Sequence, residues 1–217
     1  DLVAISGERS RPLPMVIGHE AAGIVESVGP NVEDFSTGDH VAAAFVASCG
    51  RCDMCREGRP SLCGPANHAN FSGTLMDGTT RLHKNGDQIH HHSGVAAFAE
   101  YAVISKNALV KIDSSVPFQH AAMFGCAVIT GVGAVFNTAQ IRTGQSVAVV
   151  GLGGVGLSSL IAARAAGAGK IIAVDVQTNK LNLAQDLGAH EIYNATEADF
   201  ESLIRKKTNG GVDLAVE

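Results

Sequence analysis

Four of the five cysteines in the chain lie within a single short segment, in the spacing C-x2-C-x2-C-x7-C. They are Cys49, Cys52, Cys55 and Cys63. Four thiolates at this spacing can converge on one tetrahedral Zn²⁺, and a site filled by four cysteines is structural rather than catalytic. Two disulfides are the competing interpretation. Spacings of three residues favour a metal knuckle, and the rest of the chain does not resemble a small secreted scaffold.

A glycine-rich motif predicts a second kind of site, one for a dinucleotide. Gly151–Gly156 reads G-L-G-G-V-G, directly after the apolar run Ser146–Val150 and before a predicted helix. In this setting Gly151 allows a tight turn, Gly153 lets a pyrophosphate approach the backbone, and Gly156 allows helix and strand to pack closely. The alternative is an ordinary glycine-rich turn without a ligand.

An acidic residue follows at the position that would read the adenosine ribose. Asp175 closes the next predicted strand, 19 residues after Gly156. A carboxylate there accepts hydrogen bonds from the ribose hydroxyls and repels a 2′-phosphate, so the sequence favours NAD over NADP.

Two further residues give weaker signals when each is taken alone. His19 stands in a Gly-His-Glu run with Glu20, and Cys126 stands in Phe-Gly-Cys-Ala. A lone histidine beside a strand is more often structural than a ligand, and a single cysteine among apolar neighbours is usually an inert core residue. Cys126 falls at the predicted junction of two domains, where a cofactor and a substrate would meet.

The chain changes character near residue 127. Before it, the short apolar runs Gly23–Val28, Asp39–Val46 and Ala97–Val103 alternate with turns rich in glycine and proline, which predicts a β-barrel-like lobe. The polar segment Gly64–Gly94 is interpreted as a loop over the zinc lobe. After residue 127, strands and helices alternate, which predicts βαβ units and a parallel sheet.

The predicted strands are Ser146–Val150, Lys170–Val174, Glu191–Tyr193 and Val212–Val216, and the predicted helices are Val155–Ala166, Thr178–Leu187 and Glu197–Thr208. We therefore expect one domain over residues 1–127, with a zinc lobe at about 49–63, and a second over residues 128–217.

Composition indicates a globular protein, with 46% hydrophobic and 17% charged residues among 217. The net charge of −5 argues against nucleic acid as the main partner. No stretch is expected to reach the roughly 20 apolar residues that span a bilayer. Reduced, metal-binding cysteines favour a cytoplasmic location. Both ends of the sequence look cut.

In combination, these motifs resemble those of the zinc-dependent medium-chain alcohol dehydrogenases, in the liver-type or class III-like branch, along the whole chain. The resemblance implies a GroES-like β-barrel catalytic domain with a structural-zinc lobe, followed by the first part of a Rossmann doubly wound parallel sheet. It also implies site residues. They are His19 and Cys126 as catalytic zinc ligands, Glu20 as an occasional alternative ligand, Asp1 as the partner of the zinc-bound histidine, and Thr130, Gly151, Gly153, Gly154, Val155, Gly156, Asp175 and Lys180 at the cofactor. The family's first zinc ligand, a cysteine, and its hydroxyl relay would lie before residue 1.

The activity implied is NAD-linked hydride transfer between a small-molecule alcohol and an aldehyde or ketone, with Zn²⁺ and NAD as cofactors. The full-length enzyme is expected to be a homo-oligomer without nucleic-acid or membrane partners. One alternative is a glutathione-dependent formaldehyde dehydrogenase, because Gly64–Gly94 is similar to that branch. Another is an inactive zinc-stabilised fragment. The run His90–His92 is expected to be solvated or to pack in a loop, without a catalytic role.

Overall fold

The computed structural model describes all 217 residues, which form two compact units. Unit 1 comprises Asp1–Cys126 and unit 2 comprises Ala127–Glu217.

Unit 1 contains two small sheets of short strands. The strands are β1 (Met15–Val16), β2 (Ala21–Ile24), β3 (His40–Ala43), β4 (Leu82–Lys84), β5 (Asp87–His91) and β6 (Leu109–Lys111). One sheet has the antiparallel order β2-β3-β6. The other has the order β1-β5-β4, with β1 parallel and β4 antiparallel to β5.

The helices of unit 1 are short. They are α1 (Leu2–Ile5), α2 (Asp53–Arg56) and α3 (Gly64–Ser72), with 3₁₀ turns at Pro60–Leu62, His92–Gly94 and Lys106–Ala108. The interpretation of Gly64–Gly94 as a loop was therefore wrong, because α3, β4 and β5 all lie in it. Proline in the first turn begins α3, and Gly73 in the left-handed conformation ends it. An Asn-Gly turn with positive φ at both residues joins β4 to β5.

The expectation of a strand at Ala97–Val103 was also wrong. Its first residues make two backbone hydrogen bonds, from Ala97 N–H to the Gly18 carbonyl and from Phe98 N–H to the Ile17 carbonyl. The ladder does not continue beyond them, and Phe98 and Tyr101 are exposed. An apolar run forms a strand only where a neighbouring strand supplies backbone hydrogen bonds along its length.

A continuous helical segment covers Phe118–Ala139. It consists of α4 (Phe118–Met123), a π-helical turn (Phe124–Val128), α5 (Ile129–Gly133) and a second π-helical turn (Ala134–Ala139). By length and composition this segment is apolar enough to cross a membrane, contrary to the sequence-based expectation. One such helix is weak evidence for a membrane span, because a core helix of a soluble protein passes the same test.

Unit 2 contains a four-stranded parallel sheet of order β10-β7-β8-β9. Its elements are β7 (Ser146–Val150), α6 (Gly154–Ala165), β8 (Lys170–Asp175), α7 (Thr178–Asp186), β9 (Glu191–Asn194), α8 (Phe200–Lys207) and β10 (Leu214–Val216). The predicted alternation is confirmed. Helix α8 begins later than predicted, because Asp199 adopts a positive φ directly before it.

Both faces of this sheet are covered. Val147, Val149 and Ile171 belong to one buried cluster, whereas Ile172 and Val174 belong to another. Neighbouring residues of a strand point to opposite faces, so a strand buried on both faces must be apolar throughout. That requirement explains why the sequence of unit 2 was easy to interpret.

Candidate metal and nucleotide sites

The four cysteines of unit 1 converge on one point, with all four sulfurs within 4.8 Å of one another. The Sγ atom of Cys52 lies 3.5 Å from that of Cys55 and 3.9 Å from that of Cys63. A tetrahedral zinc with Zn–S bonds of about 2.3 Å separates its sulfurs by roughly 3.8 Å. All four thiols are free, and a disulfide would need a sulfur separation of about 2.05 Å. The arrangement therefore fits a zinc ion and gives no support to the disulfide alternative.

Backbone N–H groups of the cysteine loop donate to two of the sulfur atoms. The N–H of Cys52 donates to Cys49 Sγ, and the N–H of Cys49 donates to Cys63 Sγ, both at 3.3 Å. Donation from the N–H groups of Arg51 and Cys52 lowers the pKa of Cys49 to about 6. Burial raises the pKa of Cys55 to about 11. A bound cation would stabilise the thiolate form of all four.

A second set of possible metal ligands in unit 1 consists of His19, Glu20 and Cys126. Their ligand atoms lie within 4.8 Å of one another, although Cys126 is far from the others in sequence. Cys126 belongs to the π-helical turn Phe124–Val128. A Cβ added at Gly125 would lie 1.8 Å from the Ala43 carbonyl oxygen, so only glycine allows this turn to approach β3. That approach brings Cys126 to the histidine.

Asp1 orients the His19 ring. The His19 Nδ1 atom lies 2.9 Å from Asp1 Oδ1. When Nδ1–H donates to the carboxylate, the lone pair of Nε2 remains for a metal. Burial lowers the pKa of His19 and so favours the neutral ring. Burial also raises the pKa of the Cys126 thiol, assisted by the Glu20 charge, and a cation would reverse that effect. Imidazole, thiolate and carboxylate are the donors that zinc takes in proteins, and three of them leave a coordination position open.

His92 reaches the same carboxylate, although sequence reasoning gave it no role. Its Nδ1 atom lies 3.0 Å from Asp1 Oδ1, without a well-aligned hydrogen bond, and its ring meets that of His19 at 5.6 Å and 84°. His92 is 6% exposed, so it is not solvated. Burial, and then the charge on His19, lowers its pKa to about 4. The contact joins residues far apart in the sequence of unit 1, and no local pattern predicts it.

In unit 2, the glycine motif forms a loop between β7 and α6. Gly151 has a φ of +85°, and a Cβ at Gly156 would lie 1.8 Å from the Gly151 carbonyl oxygen. A Cβ at Gly153 would meet no atom within 4 Å. A cavity of about 380 Å³ lies over this loop, and its lining includes Gly154 and Val155. The open backbone at the start of a helix is suited to a phosphate group.

Asp175 closes one side of the loop at the end of β8. Its Oδ2 accepts the N–H of Leu152 at 2.7 Å, and its Oδ1 accepts the N–H of Gln177 at 2.9 Å. Burial acts to raise the pKa of Asp175, but these backbone donors outweigh it and the pKa is lowered. Lys180 Nζ lies 3.9 Å from Oδ2. The carboxylate is ionised, and each oxygen keeps a lone pair for a ligand hydroxyl.

Thr130 lies on α5, which packs against α6. The Ser159 hydroxyl donates to the carbonyl of the neighbouring Gly131 at 3.3 Å. Thr130 itself is exposed, and Val155 is partly exposed at the start of α6. The residues expected at the nucleotide thus lie on or beside the loop and the helix that follows it.

Comparison with known families agrees with these features. Residues 1–114 match the family described as "Alcohol dehydrogenase GroES-like domain", and residues 154–217 match "Zinc-binding dehydrogenase". The chain belongs to the zinc-binding medium-chain alcohol dehydrogenases.

Individual relatives lie in the same family. An S-(hydroxymethyl)glutathione dehydrogenase of Synechocystis is 41% identical over 220 residues, which cover 100% of this chain and 60% of that protein. A structure of an alcohol dehydrogenase zinc-binding domain protein from Burkholderia ambifaria is 43% identical, with a TM-score of 0.88 over 94% of this chain and 55% of the other. Benzyl alcohol dehydrogenase from Acinetobacter calcoaceticus is 37% identical, with a TM-score of 0.90 over 99% of this chain and 58% of the other. The chain thus spans about 60% of the length of the curated relatives it matches.

Proposed function

We propose that the protein containing this chain is an NAD-linked zinc alcohol dehydrogenase, which interconverts an alcohol and an aldehyde or ketone. The observation that carries the proposal is the convergence of His19, Glu20 and Cys126 within 4.8 Å. A four-thiolate cluster alone would support only a zinc-stabilised module. A mixed set of imidazole, carboxylate and thiolate is the donor chemistry of catalytic zinc sites.

Two zinc sites with different tasks follow from this proposal. Cys49, Cys52, Cys55 and Cys63 would hold a structural zinc with no open position. His19 and Cys126 would hold the catalytic zinc, with Glu20 as the alternative ligand. When bound, this zinc supplies a Lewis acid that lowers the pKa of an alcohol hydroxyl, and NAD⁺ supplies the hydride acceptor.

Residues of this chain are placed to bind both the catalytic zinc and NAD. Asp1 fixes the His19 tautomer through the 2.9 Å contact with Nδ1, so that Nε2 is the metal-binding atom. In unit 2, Asp175 would accept the adenosine ribose hydroxyls, and Lys180 lies beside it. The backbone at Gly153 would take the pyrophosphate. Thr130 and Val155 would contact the nicotinamide.

The substrate class is proposed from the relatives. The Synechocystis and Escherichia coli proteins that match the whole chain are named S-(hydroxymethyl)glutathione dehydrogenases, and the Acinetobacter calcoaceticus enzyme is named for benzyl alcohol. We therefore propose small-molecule alcohols in general, with S-(hydroxymethyl)glutathione as the second candidate. NADH production from benzyl alcohol, and from formaldehyde with and without glutathione, separates the two. Formaldehyde oxidation that requires glutathione would identify the second.

The central experiment replaces one proposed ligand. In the full-length protein, Cys126→Ser should lower NAD-linked turnover by at least about 10³-fold, because the catalytic metal loses a thiolate. NAD binding, measured by calorimetry, should survive. Ala122→Ser, on the same helical segment, should leave turnover unchanged. Full activity in Cys126→Ser would reject the ligand assignment. A wild-type protein with one zinc per chain and no turnover would instead support the inactive, zinc-stabilised alternative.

Organisation and location are part of the proposal. The suggested domains are a GroES-like catalytic domain over residues 1–127 and the first half of an NAD-binding domain over residues 128–217. A homo-oligomer is proposed by similarity to the family, and light scattering of the full-length protein tests it. The free cysteines support a reducing, cytoplasmic compartment, which cell fractionation tests.

A further inference from the structure

His92 is held by a turn with unusual backbone geometry. Ser93 and Ala96 are both buried non-glycine residues with a φ of +53°. The N–H groups of Val95 and Ala96 donate to the His92 carbonyl at 3.0 and 3.2 Å. Backbone strain of this kind persists only where the surrounding structure enforces it, and it is often found at functional sites. The turn fixes the position from which the His92 side chain extends.

The His92 side chain contacts the same carboxylate oxygen of Asp1 as His19 does. The Nδ1 atoms of His92 and His19 lie 3.0 and 2.9 Å from the same Asp1 Oδ1. The ring of His92 meets one side of His19 edge to face at 5.6 Å, and the Phe45 ring also meets His19 edge to face, at 5.8 Å. Both contacts are polar, but only that of His19 is aligned as a hydrogen bond. His19 is thus restrained by its hydrogen bond and by two perpendicular rings.

We propose that His92 is a positioning residue for the zinc site. It holds the Asp1 carboxylate and one side of the His19 ring, so that Nε2 of His19 keeps a fixed direction toward the metal. Outer partners of a metal-bound histidine usually change metal affinity by about 10–100-fold when they are removed. This inference rests on the proposed catalytic zinc site.

A competing assignment makes His92 a metal ligand. Ligand atoms of Asp1, His19 and His92 also lie within 4.8 Å of one another. The His19 ring atom nearest to Asp1 is Nδ1, at 2.9 Å, so a metal between these two residues would lie at Nδ1. That ion would displace the hydrogen bond that orients His19, so the geometry favours the positioning role. The experiment below separates the two.

Two substitutions divide the functions of the His92 side chain. His92→Phe keeps a ring against His19 but removes both nitrogen atoms. His92→Asn keeps a nitrogen near the Nδ1 position but removes the ring. His83→Phe is the matched control, because His83 is an exposed histidine on β4.

The measurements are made on the full-length protein and do not depend on turnover. Native mass spectrometry counts the zinc ions, chelator competition gives the affinity of the more weakly held one, and the Co²⁺-substituted protein reports ligand geometry by its visible spectrum. His92→Phe should weaken the second zinc by about 10–100-fold and shift the Co²⁺ bands. His92→Asn should lose less zinc affinity than His92→Phe, and His83→Phe should keep the wild-type affinity. The zinc of the four-cysteine cluster should remain in every variant, which also reports correct folding.

Several outcomes would overturn the proposal. An unchanged affinity and Co²⁺ spectrum in His92→Phe would show that the ring only fills space. Three zinc ions in the wild type, and one fewer in both variants, would make His92 a ligand. A wild type with zinc only in the four-cysteine cluster would reject the proposed catalytic site as well. That last result is distinguishable, because it is seen before any substitution is made.

Discussion

The two units of the molecule are stabilised by different means. In unit 2 the largest fully buried side chains are aliphatic apart from Ser159, and Leu160, Ile171 and Val149 are among them. Unit 1 contributes only His91, Val95 and Cys63 to the same set. The buried cluster around its cysteines otherwise consists of small residues, Ala47, Ala66 and Ala108.

This difference teaches where each unit obtains its stability. Full burial of an aliphatic side chain contributes about 1.5–3 kcal/mol, so unit 2 can be stable through packing alone. An alanine contributes much less. A structural zinc supplies about 10–16 kcal/mol of apparent binding free energy in zinc-finger peptides. We therefore expect the cysteine lobe of unit 1 to depend on metal and unit 2 to be independent of it.

The largest effect is expected when the cluster is broken. Cys63→Ser removes a fully buried ligand and should cost at least about 3 kcal/mol of unfolding free energy, because three thiolates hold zinc weakly. Hydrogen exchange followed by mass spectrometry should show faster exchange over residues 49–72 and unchanged exchange in β7 and β8. Cys126→Ser is the control, and it should leave exchange in the lobe unchanged. Uniformly faster exchange in both units would contradict the comparison.

The packing of unit 2 is tested by Leu160→Ala. Leu160 is 0% exposed on α6, so the change should cost about 2–5 kcal/mol through the cavity that it leaves. Urea unfolding of unit 2 measures this loss of unfolding free energy. The loss should be the same with and without a chelator. Ile161→Ala, whose side chain is 49% exposed, should cost less than about 1 kcal/mol. A chelator-dependent loss for Leu160→Ala would mean that unit 2 also relies on metal.

A third comparison lies within the nucleotide loop itself. Gly156→Ala places a Cβ against the Gly151 carbonyl and should lower the free energy of unfolding by about 2–3 kcal/mol. The same variant should also lose NAD binding. Gly153→Ala meets open space, so stability should change by less than about 1 kcal/mol. NAD affinity should still fall by about tenfold, because the methyl group occupies the proposed pyrophosphate position. Calorimetry and urea unfolding measure the two quantities. Equal stability losses in the two variants would show that packing does not distinguish these glycines.

The smallest effect concerns charge in unit 2. Asp175→Asn removes a carboxylate that accepts two backbone N–H bonds and should cost about 1–2 kcal/mol at pH 7. The pKa of Asp175 is lowered in the folded state. Its stabilisation is therefore full above the unfolded pKa of about 3.9 and is lost as the pH falls through the lower folded pKa. Urea unfolding at several pH values should show the wild type and the variant converging below about pH 4. A constant difference down to pH 2 would contradict the role of the charge.

The fold of unit 2 was predictable because its signals are local and redundant. The three central residues of the strand Ser146–Val150 are apolar and buried, and glycines follow the ends of the helices. Unit 1 was harder, because its strands are only two to five residues long and most of them pair with strands distant in sequence. Helix α3 was missed because its sequence, G-P-A-N-H-A-N-F-S, is dominated by small and polar residues and shows no apolar period. The segment Phe118–Ala139 carries few polar residues, so its helical period was not visible.

The candidate sites were likewise predictable where their residues lie close together in the sequence. The four cysteines and the glycine loop each occupy a short stretch, so their spacing alone indicated their chemistry. His19 and Cys126 are joined only by tertiary structure, and resemblance to a family linked them in advance. His92 had neither kind of signal. Its place beside Asp1 depends on a buried turn with positive φ at Ser93, which neither its residue type nor its neighbours predict.

The short sulfur separations in the cysteine loop also affect how the protein withstands air. While zinc is bound, the four sulfurs are shielded as ligands. After demetallation, Cys52 and Cys55, with sulfurs 3.5 Å apart, are close enough to oxidise with little movement. An oxidised pair cannot rebind zinc. Loss of the ion should therefore become irreversible in aerated buffer and reversible under a reductant, so that storage history decides whether a sample can be reconstituted.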